Sequence, residues 1–122
     1  MAGAPILRSR GVPEAVINAI LSHSDVAGVP RDNHMFKCLY ACDEITGLIT
    51  AVALVRPSRS LLDLSSSSVK KKWKDRAFAA GANRDEITAA TADFGIELWA
   101  HVDNVIFTMR SISTLLGLDG NV

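Results

Sequence analysis

Two adjacent carboxylates, Asp43 and Glu44, lie inside the apolar stretch formed by residues 39–49. If that stretch is a buried helix, an ionised carboxylate within it costs several kcal/mol unless a cation or hydrogen-bond donors meet it. Asp43 is therefore expected to have a partner, such as a metal ion, an arginine or a histidine. Glu44 could give a third oxygen to such an ion only in a distorted helix, because adjacent helical residues point about 100° apart.

His34, Cys38 and Cys42 follow one another at intervals of four residues, which places them in one stripe of a helix. All three cannot bind one ion, because eight helical residues rise about 12 Å. Two of them at most could share an ion, and two ligands are too few for a structural zinc site. The two cysteines are instead expected to be reduced core residues that behave as small hydrophobic side chains.

A strongly basic segment precedes an acidic one. Residues 56–76 contain seven cations and two anions, and residues 84–103 contain five acids and one arginine, so their net charges are +5 and −4. Lysines in such a cluster could bind phosphate, or they could form the solvated face of a helix. The two segments could also face each other, within one chain or between two. The candidate phosphate-binding residues are Lys70, Lys71, Lys72 and Lys74.

His101 is the third histidine, and it lies one turn after Glu97. This spacing predicts an i, i+4 pair on the surface of a helix. The sequence contains no nucleotide-binding glycine loop, nucleophile elbow or zinc-knuckle spacing.

Apolar residues recur at helical spacing through most of the chain, and strict alternation is rare. The sequence therefore predicts one all-α domain over residues 1–122, a helical bundle of about five or six helices. Glycines, prolines and capping residues set the boundaries. The predicted helices end at Ser9 before Gly11, run from Pro13 to near His23, from Asp32 or Asn33 to about Val55, from Val69 to about Ala80, from the cap Asn83 to Gly95, and from about Glu97 to Leu116.

The composition is that of an ordinary globular protein. The chain has 122 residues, 48% hydrophobic and 21% charged, and a formal net charge of zero. This balance does not indicate a nucleic-acid partner. The apolar runs are interrupted and shorter than the roughly 18–20 residues of a membrane span, so no membrane partner is expected. The N-terminus lacks the pattern of a secretory signal, which predicts a cytoplasmic location.

Several stretches resemble the C-terminal part of bacterial HD-domain proteins, a superfamily of helical, metal-dependent phosphohydrolases. The likeness covers nearly the whole chain. It is carried by residues 39–49, 53–57, 68–75 and 78–84.

The resemblance implies a set of metal ligands. In that superfamily an upstream histidine, an adjacent His-Asp pair and a later aspartate hold a metal that activates water. Asp43 matches the later aspartate, and His23 resembles a histidine found in members with a fuller ligand set. The His-Asp pair is absent, and by the resemblance it would precede Met1, which describes a truncated HD-like domain.

Each of these two residues has an alternative role. Asp43 could be a structural carboxylate held by hydrogen bonds or by a cation from a neighbouring helix. His23 could be a histidine at a helix C-terminus, where the helix dipole favours it.

Two functions follow as expectations. The first is a non-catalytic, HD-like helical protein that acts as an assembly or binding module. The alternative is a metal-dependent phosphohydrolase that acts on a phosphomonoester or nucleotide, with His23 and Asp43 as remaining ligands of iron, manganese or magnesium and further ligands from elsewhere. A phosphorylated small molecule would then be its partner.

The apolar helix from Asn33 to Val55 also predicts self-association. By the resemblance, the N-terminal helices that would cover it are missing. By direct inspection, its apolar residues wrap more than one face, and such a helix needs cover all round. A homodimer is the simplest closed assembly that would supply the cover.

Overall fold

The computed structural model describes residues 3–22 and 28–120. These residues form six helices and no strand, apart from an isolated antiparallel bridge between Ser60 and Asp119. The all-α prediction is confirmed, and so is the number of helices. In chain order the helices are α1 (Gly3–Ser9), α2 (Glu14–Ser22), α3 (His34–Val55), α4 (Ser66–Trp73), α5 (Arg84–Phe94) and α6 (Leu98–Arg110).

The chain divides into two units, Met1–Asp43 and Glu44–Val122, and the division falls inside α3. In the first unit α1 packs against α2. Arg8 and Glu14, at the facing ends of these helices, form an exposed ion pair of 2.7 Å. The buried residues of this unit are Ala4, Ile17, Ala19, Ser22, Phe36 and Ala41.

α3 begins at an asparagine cap. The side chain of Asn33 accepts a hydrogen bond from the backbone N–H of Phe36 at 3.0 Å, which satisfies a donor of the first turn. Within the described part of the chain, α3 is the one helix long and apolar enough to cross a membrane by length and composition. A core helix of a soluble protein passes the same test, and the second half of α3 supplies buried residues to the second unit.

The core of the second unit collects apolar side chains from four helices and two connecting segments. Ile45, Ile49 and Ala53 of α3 are fully buried, as is Val69 of α4. α4 and α5 both pack against α6. The remaining core members are Leu48, Val52, Leu61, Leu64, Ile87, Val102, Ile106 and Leu118.

α5 has the two ends that the sequence predicts. The side chain of Asn83 accepts hydrogen bonds from the N–H groups of Asp85 and Glu86, and Gly95 closes the helix in the left-handed region at φ 88°. Glycine adopts that conformation without a steric penalty.

α4 and α6 are both shorter than the sequence predicts. α4 ends at Trp73 rather than near Ala80, and residues 74–82 form turns. Ala77, four residues after Trp73 in the predicted helix, is exposed. α6 ends at Arg110, and the predicted last turn, to Leu116, is instead a series of turns that leads Leu118 back to Leu61, whose N–H donates to the Leu118 carbonyl at 2.8 Å.

Candidate functional site: a basic helix and an exposed apolar surface

Asp43 does not lie in an apolar interior. Its side chain is exposed, and so are Leu39 and Gly47, one turn on either side of it. The expectation of a buried carboxylate at this position is therefore wrong, and the desolvation cost that demanded a cation does not apply. His23, the other residue proposed as a metal ligand, lies outside the described residues. Within residues 3–22 and 28–120, no group of three or more His, Cys, Asp or Glu side chains could hold a metal ion.

Glu44 is half-buried and belongs to the second unit. Its Oε2 atom accepts a hydrogen bond of 3.2 Å from the backbone N–H of Asn83, so it ties α3 to the start of α5. Beside this contact lies an open, mainly apolar groove of about 300 Å³. The groove is lined by Glu44, Gly47, Leu48, Ala79, Gly81 and Ala82. The sequence allowed Glu44 a ligand role only in a distorted helix, and it gave no sign of this structural role.

The lysines of α4 split into two environments. Lys70, Lys71 and Lys74 are exposed, whereas Lys72 is half-buried and its Nζ lies 5.1 Å from the centre of the Phe78 ring. Lys70 also faces an aromatic ring, with its Nζ 5.6 Å from the centre of Trp99. The exposed lysines could meet an anion, while the two cation–π contacts have a structural effect of their own. The phosphate-binding role of these four lysines stays a prediction.

The basic and acidic segments meet within the chain through aromatic packing. The rings of Trp73 and Trp99 contact each other edge to face, with centres 5.5 Å apart and planes at 82°. Trp73 ends α4 and Trp99 opens α6, so this pair joins the two helices. Edge-to-face pairs contribute about 0.5–1.5 kcal/mol beyond the burial of their area.

Arg84 is a structural centre that sequence reasoning missed. It is 6% exposed, and its guanidinium donates to the backbone carbonyls of five residues. These carbonyls belong to Lys72, Asp75, Phe78, Ala79 and Ala82, at 2.7–3.4 Å. The sequence presents Arg84 only as one cation in an acidic segment, so it gives no sign of this role.

Arg110 holds a second connection in the same way. Its Nε donates to the Leu61 carbonyl at 2.8 Å, and its guanidinium also donates to the Leu64 carbonyl. Arg56 lies on the same connection, with its guanidinium 2.8 Å from the hydroxyl of Ser68 and 3.4 Å from the Asp63 carboxylate. These bonds fix residues 60–64 against the end of α6.

His101 is buried rather than on a surface. It is 3% exposed, and its ring centre lies 5.9 Å from that of Phe94, edge to face. The predicted surface position of His101 is therefore wrong. Glu97 is the cap of α6, and its carboxylate accepts from the N–H of Ala100 at 2.8 Å. An acid at a helix start is stabilised by the helix dipole.

Cys38 and Cys42 are half-buried on α3, and neither is in a disulfide. They lie one turn apart on the same face of this helix. Burial raises the pKa of the Cys42 thiol from its ordinary value of 9.0 to about 11, and Cys38 adds to the rise through its charge and its hydrogen bond. The prediction of reduced cysteines agrees with this geometry.

This environment predicts how Cys42 reacts with iodoacetamide. The thiolate is the nucleophile, so alkylation of Cys42 should be slow near neutral pH and should rise about tenfold per pH unit until about pH 11. The Cys38→Ser variant loses the thiolate charge beside Cys42, so its profile should move to lower pH. Peptide mass spectrometry measures both rates, and a wild-type profile that levels off below the ordinary thiol pKa would contradict the burial of Cys42.

A group of large apolar side chains lies exposed on the second unit. Phe107 is 74% exposed and Leu115 is 86% exposed, values that are high for a protein surface. We call the group the apolar surface and define it as Val55, Leu62, Phe107, Ile112, Leu115 and Leu116.

Searches of protein-family models, curated proteins and solved structures with this sequence find no match. Function has therefore to be argued from the geometry of the chain itself.

Proposed function

We propose that this protein is a helical assembly module that forms a homodimer through the apolar surface. The exposure of six large apolar side chains on one unit carries the proposal. Isolated apolar residues are common on protein surfaces, but clustered ones of this exposure mark sites of association.

Backbone and side-chain contacts bring the segments of the apolar surface together. The Leu61–Leu118 hydrogen bond and the bridge between Ser60 and Asp119 hold residues 60–61 beside residues 118–119. Arg110 binds the Leu61 carbonyl, so Leu62 lies close to the end of α6, where Ile112, Leu115 and Leu116 follow. The Arg56–Asp63 ion pair brings the end of α3 to the same place. Five of the six side chains therefore belong to three segments that are linked to one another.

The apolar surface is large for a chain of this size. Its six side chains expose on the order of 600 Å², at the upper end of the about 300–600 Å² of the largest apolar patch on a typical monomer. A standard protein interface buries about 800 Å² per partner, so a dimer would also bury residues around this surface. A two-fold arrangement would bury the same residues on both copies and so close the assembly.

The location of this surface differs from the sequence-based expectation. That expectation placed the interface on the helix from Asn33 to Val55. The second half of that helix, α3, instead lies in the core of its own unit, where Ile45, Ile49 and Ala53 are fully buried. The turns after α6, predicted to be helical and apolar, carry three of the six exposed residues, Ile112, Leu115 and Leu116.

We keep an HD-domain relationship within the proposal. The all-α architecture is compatible with it, and the module would then retain helices of that superfamily without acting as a hydrolase. The alternative, a phosphohydrolase that uses Asp43 and His23, has no specific support in the described residues, because Asp43 is exposed and no cluster of ligands surrounds it.

Sedimentation equilibrium tests the proposed dimer. We expect the wild-type chain to be a dimer at micromolar concentration and the Leu62→Glu/Leu115→Glu double variant to be a monomer, with a dissociation constant at least about 100-fold higher. Two charges placed within an apolar interface lose their hydration without gaining a partner.

The matched control is Ile6→Glu, which changes a residue that is 56% exposed and belongs to the first unit. This variant should dimerise like the wild type. Circular dichroism must show that all three chains are folded to the same extent. A monomeric wild-type chain, or a double variant that dimerises as tightly as the wild type, would overturn the proposal.

A further inference from the structure

The two cysteines of the chain form a pair of adjacent thiols on one face of α3. Cys38 and Cys42 are the only cysteines in the sequence. Neither is in a disulfide, both are half-buried, and they lie one turn apart on the same face of α3.

The helix spacing does not suit a disulfide. Side chains four residues apart on a helix have Cβ atoms about 5–6 Å apart. A disulfide needs a Cβ separation of about 3.5–4.5 Å, so this pair could close one only by distorting α3. The two thiols are therefore neighbours, but their spacing does not favour oxidation to a disulfide.

The same spacing does suit a linear bridge through one ion. Two metal–sulfur bonds of about 2.3 Å in line place the sulfur atoms about 4.6 Å apart. That distance is compatible with Cβ atoms about 5–6 Å apart, with each side chain in an ordinary rotamer. Soft thiolate ligands select soft ions such as Cu(I).

We propose that Cys38 and Cys42 form a two-coordinate binding site for a soft, monovalent d¹⁰ metal ion such as Cu(I). A zinc site needs four ligands, and the described residues contain no cluster of even three. An ion with linear coordination needs only two ligands. The inference uses the first unit alone and does not depend on the proposed dimer.

Binding at this site is an exchange of protons for the ion. Each S–H bond breaks, two metal–sulfur bonds form, and two protons pass to the buffer for each ion bound. No electron is transferred, and the bound centre carries one net negative charge. Metal binding to cysteine releases protons in general, so the number of protons released reports the number of thiols that bind.

Titration of the reduced protein with Ag(I), a redox-inert analogue of Cu(I), tests the site. We expect one ion per chain and two protons released per ion, by isothermal calorimetry in buffers of different ionisation enthalpy. Cys38→Ser and Cys42→Ser should each weaken binding at least about 100-fold and release one proton. Competition with a Cu(I)-selective chelator should give the same order of affinities for Cu(I).

His34→Ala is the matched control, because His34 lies one turn before Cys38 on the same helix. Its Ag(I) affinity should stay within about twofold of the wild type. Several results would overturn the proposal: two ions per chain bound by independent thiols, one ion shared between two chains, a single serine variant that binds as tightly as the wild type, or Zn(II) bound as tightly as Ag(I). Circular dichroism of the serine variants confirms that any loss of binding is not a loss of folding.

Discussion

Replacing Arg84 with methionine should lower the free energy of unfolding by about 3–5 kcal/mol. The guanidinium is buried and donates to five backbone carbonyls between Lys72 and Ala82. Methionine fills a similar volume but donates no hydrogen bond, so several carbonyls lose their partner where water reaches them poorly. Buried polar groups that lose their partner cost about 1–3 kcal/mol each, so the loss of the donor shared by several carbonyls accounts for the expected change.

Urea unfolding followed by circular dichroism measures this effect. Arg76→Met is the control, since Arg76 is exposed and its loss should change stability by less than about 0.5 kcal/mol. Arg84→Lys should fall between the two, because an ammonium has three donors and cannot reach five carbonyls at once. Equal stability of Arg84→Met and Arg76→Met would show that the carbonyls find other partners at no cost.

The role of Arg84 explains why the length of α4 could not be predicted from sequence. The basic residues and apolar spacing after Trp73 favour a helix to about Ala80. The chain instead turns so that carbonyls of residues 75–82 point at one guanidinium from α5. A helix would keep those carbonyls for its own i, i+4 bonds. Local pattern cannot reveal this competition, because the competing donor belongs to another element.

Boundaries set by local chemistry were predicted correctly. Asn33 and Asn83 cap α3 and α5 through their own side chains, and Gly95 ends α5 in a left-handed conformation. Each of these signals acts within four residues of the boundary, so a sequence pattern contains it in full. The end of α6 was predicted wrongly for the opposite reason, since Arg110 binds carbonyls of residues more than forty positions earlier.

The candidate site was less predictable than the fold. Asp43 looked buried because its neighbours in sequence are apolar, but it shares the exposed stripe of α3 with Leu39 and Gly47. The pattern failed because α3 has apolar residues all round and so shows no clear inner face. The prediction for His101 was wrong in the opposite sense: the sequence predicted a surface residue, and the side chain is buried against Phe94. The i, i+4 spacing of the two cysteines, by contrast, was readable directly, because helix geometry alone fixes it.

A substitution in the connection between α3 and α4 should lower the free energy of unfolding as much as a substitution in the core of a helix. Residues 58–64 lie between two predicted helices, yet Leu64 is fully buried in the core and its carbonyl accepts from Arg110. Leu64→Ala should lower the free energy of unfolding by about 2–5 kcal/mol, because it removes buried methyl groups and leaves a cavity that the rigidly held segment cannot close. The same urea titrations give the value.

Leu54→Ala is the control, because it removes the same methyl groups from a leucine that is not buried. Leu54 lies in the same unit at 49% exposure, outside the apolar surface, so its truncation should cost less than about 1 kcal/mol. If Leu64→Ala cost as little, the segment would have to relax into the vacated space, and the hydrogen bonds from Arg110 and from the Leu61 N–H to the Leu118 carbonyl would be too weak to hold it. A large loss for Leu64 alone would establish that these bonds fix the connector as a part of the core, and that the residues beside it, Leu62 and the turns after α6, stay exposed because the backbone holds them there.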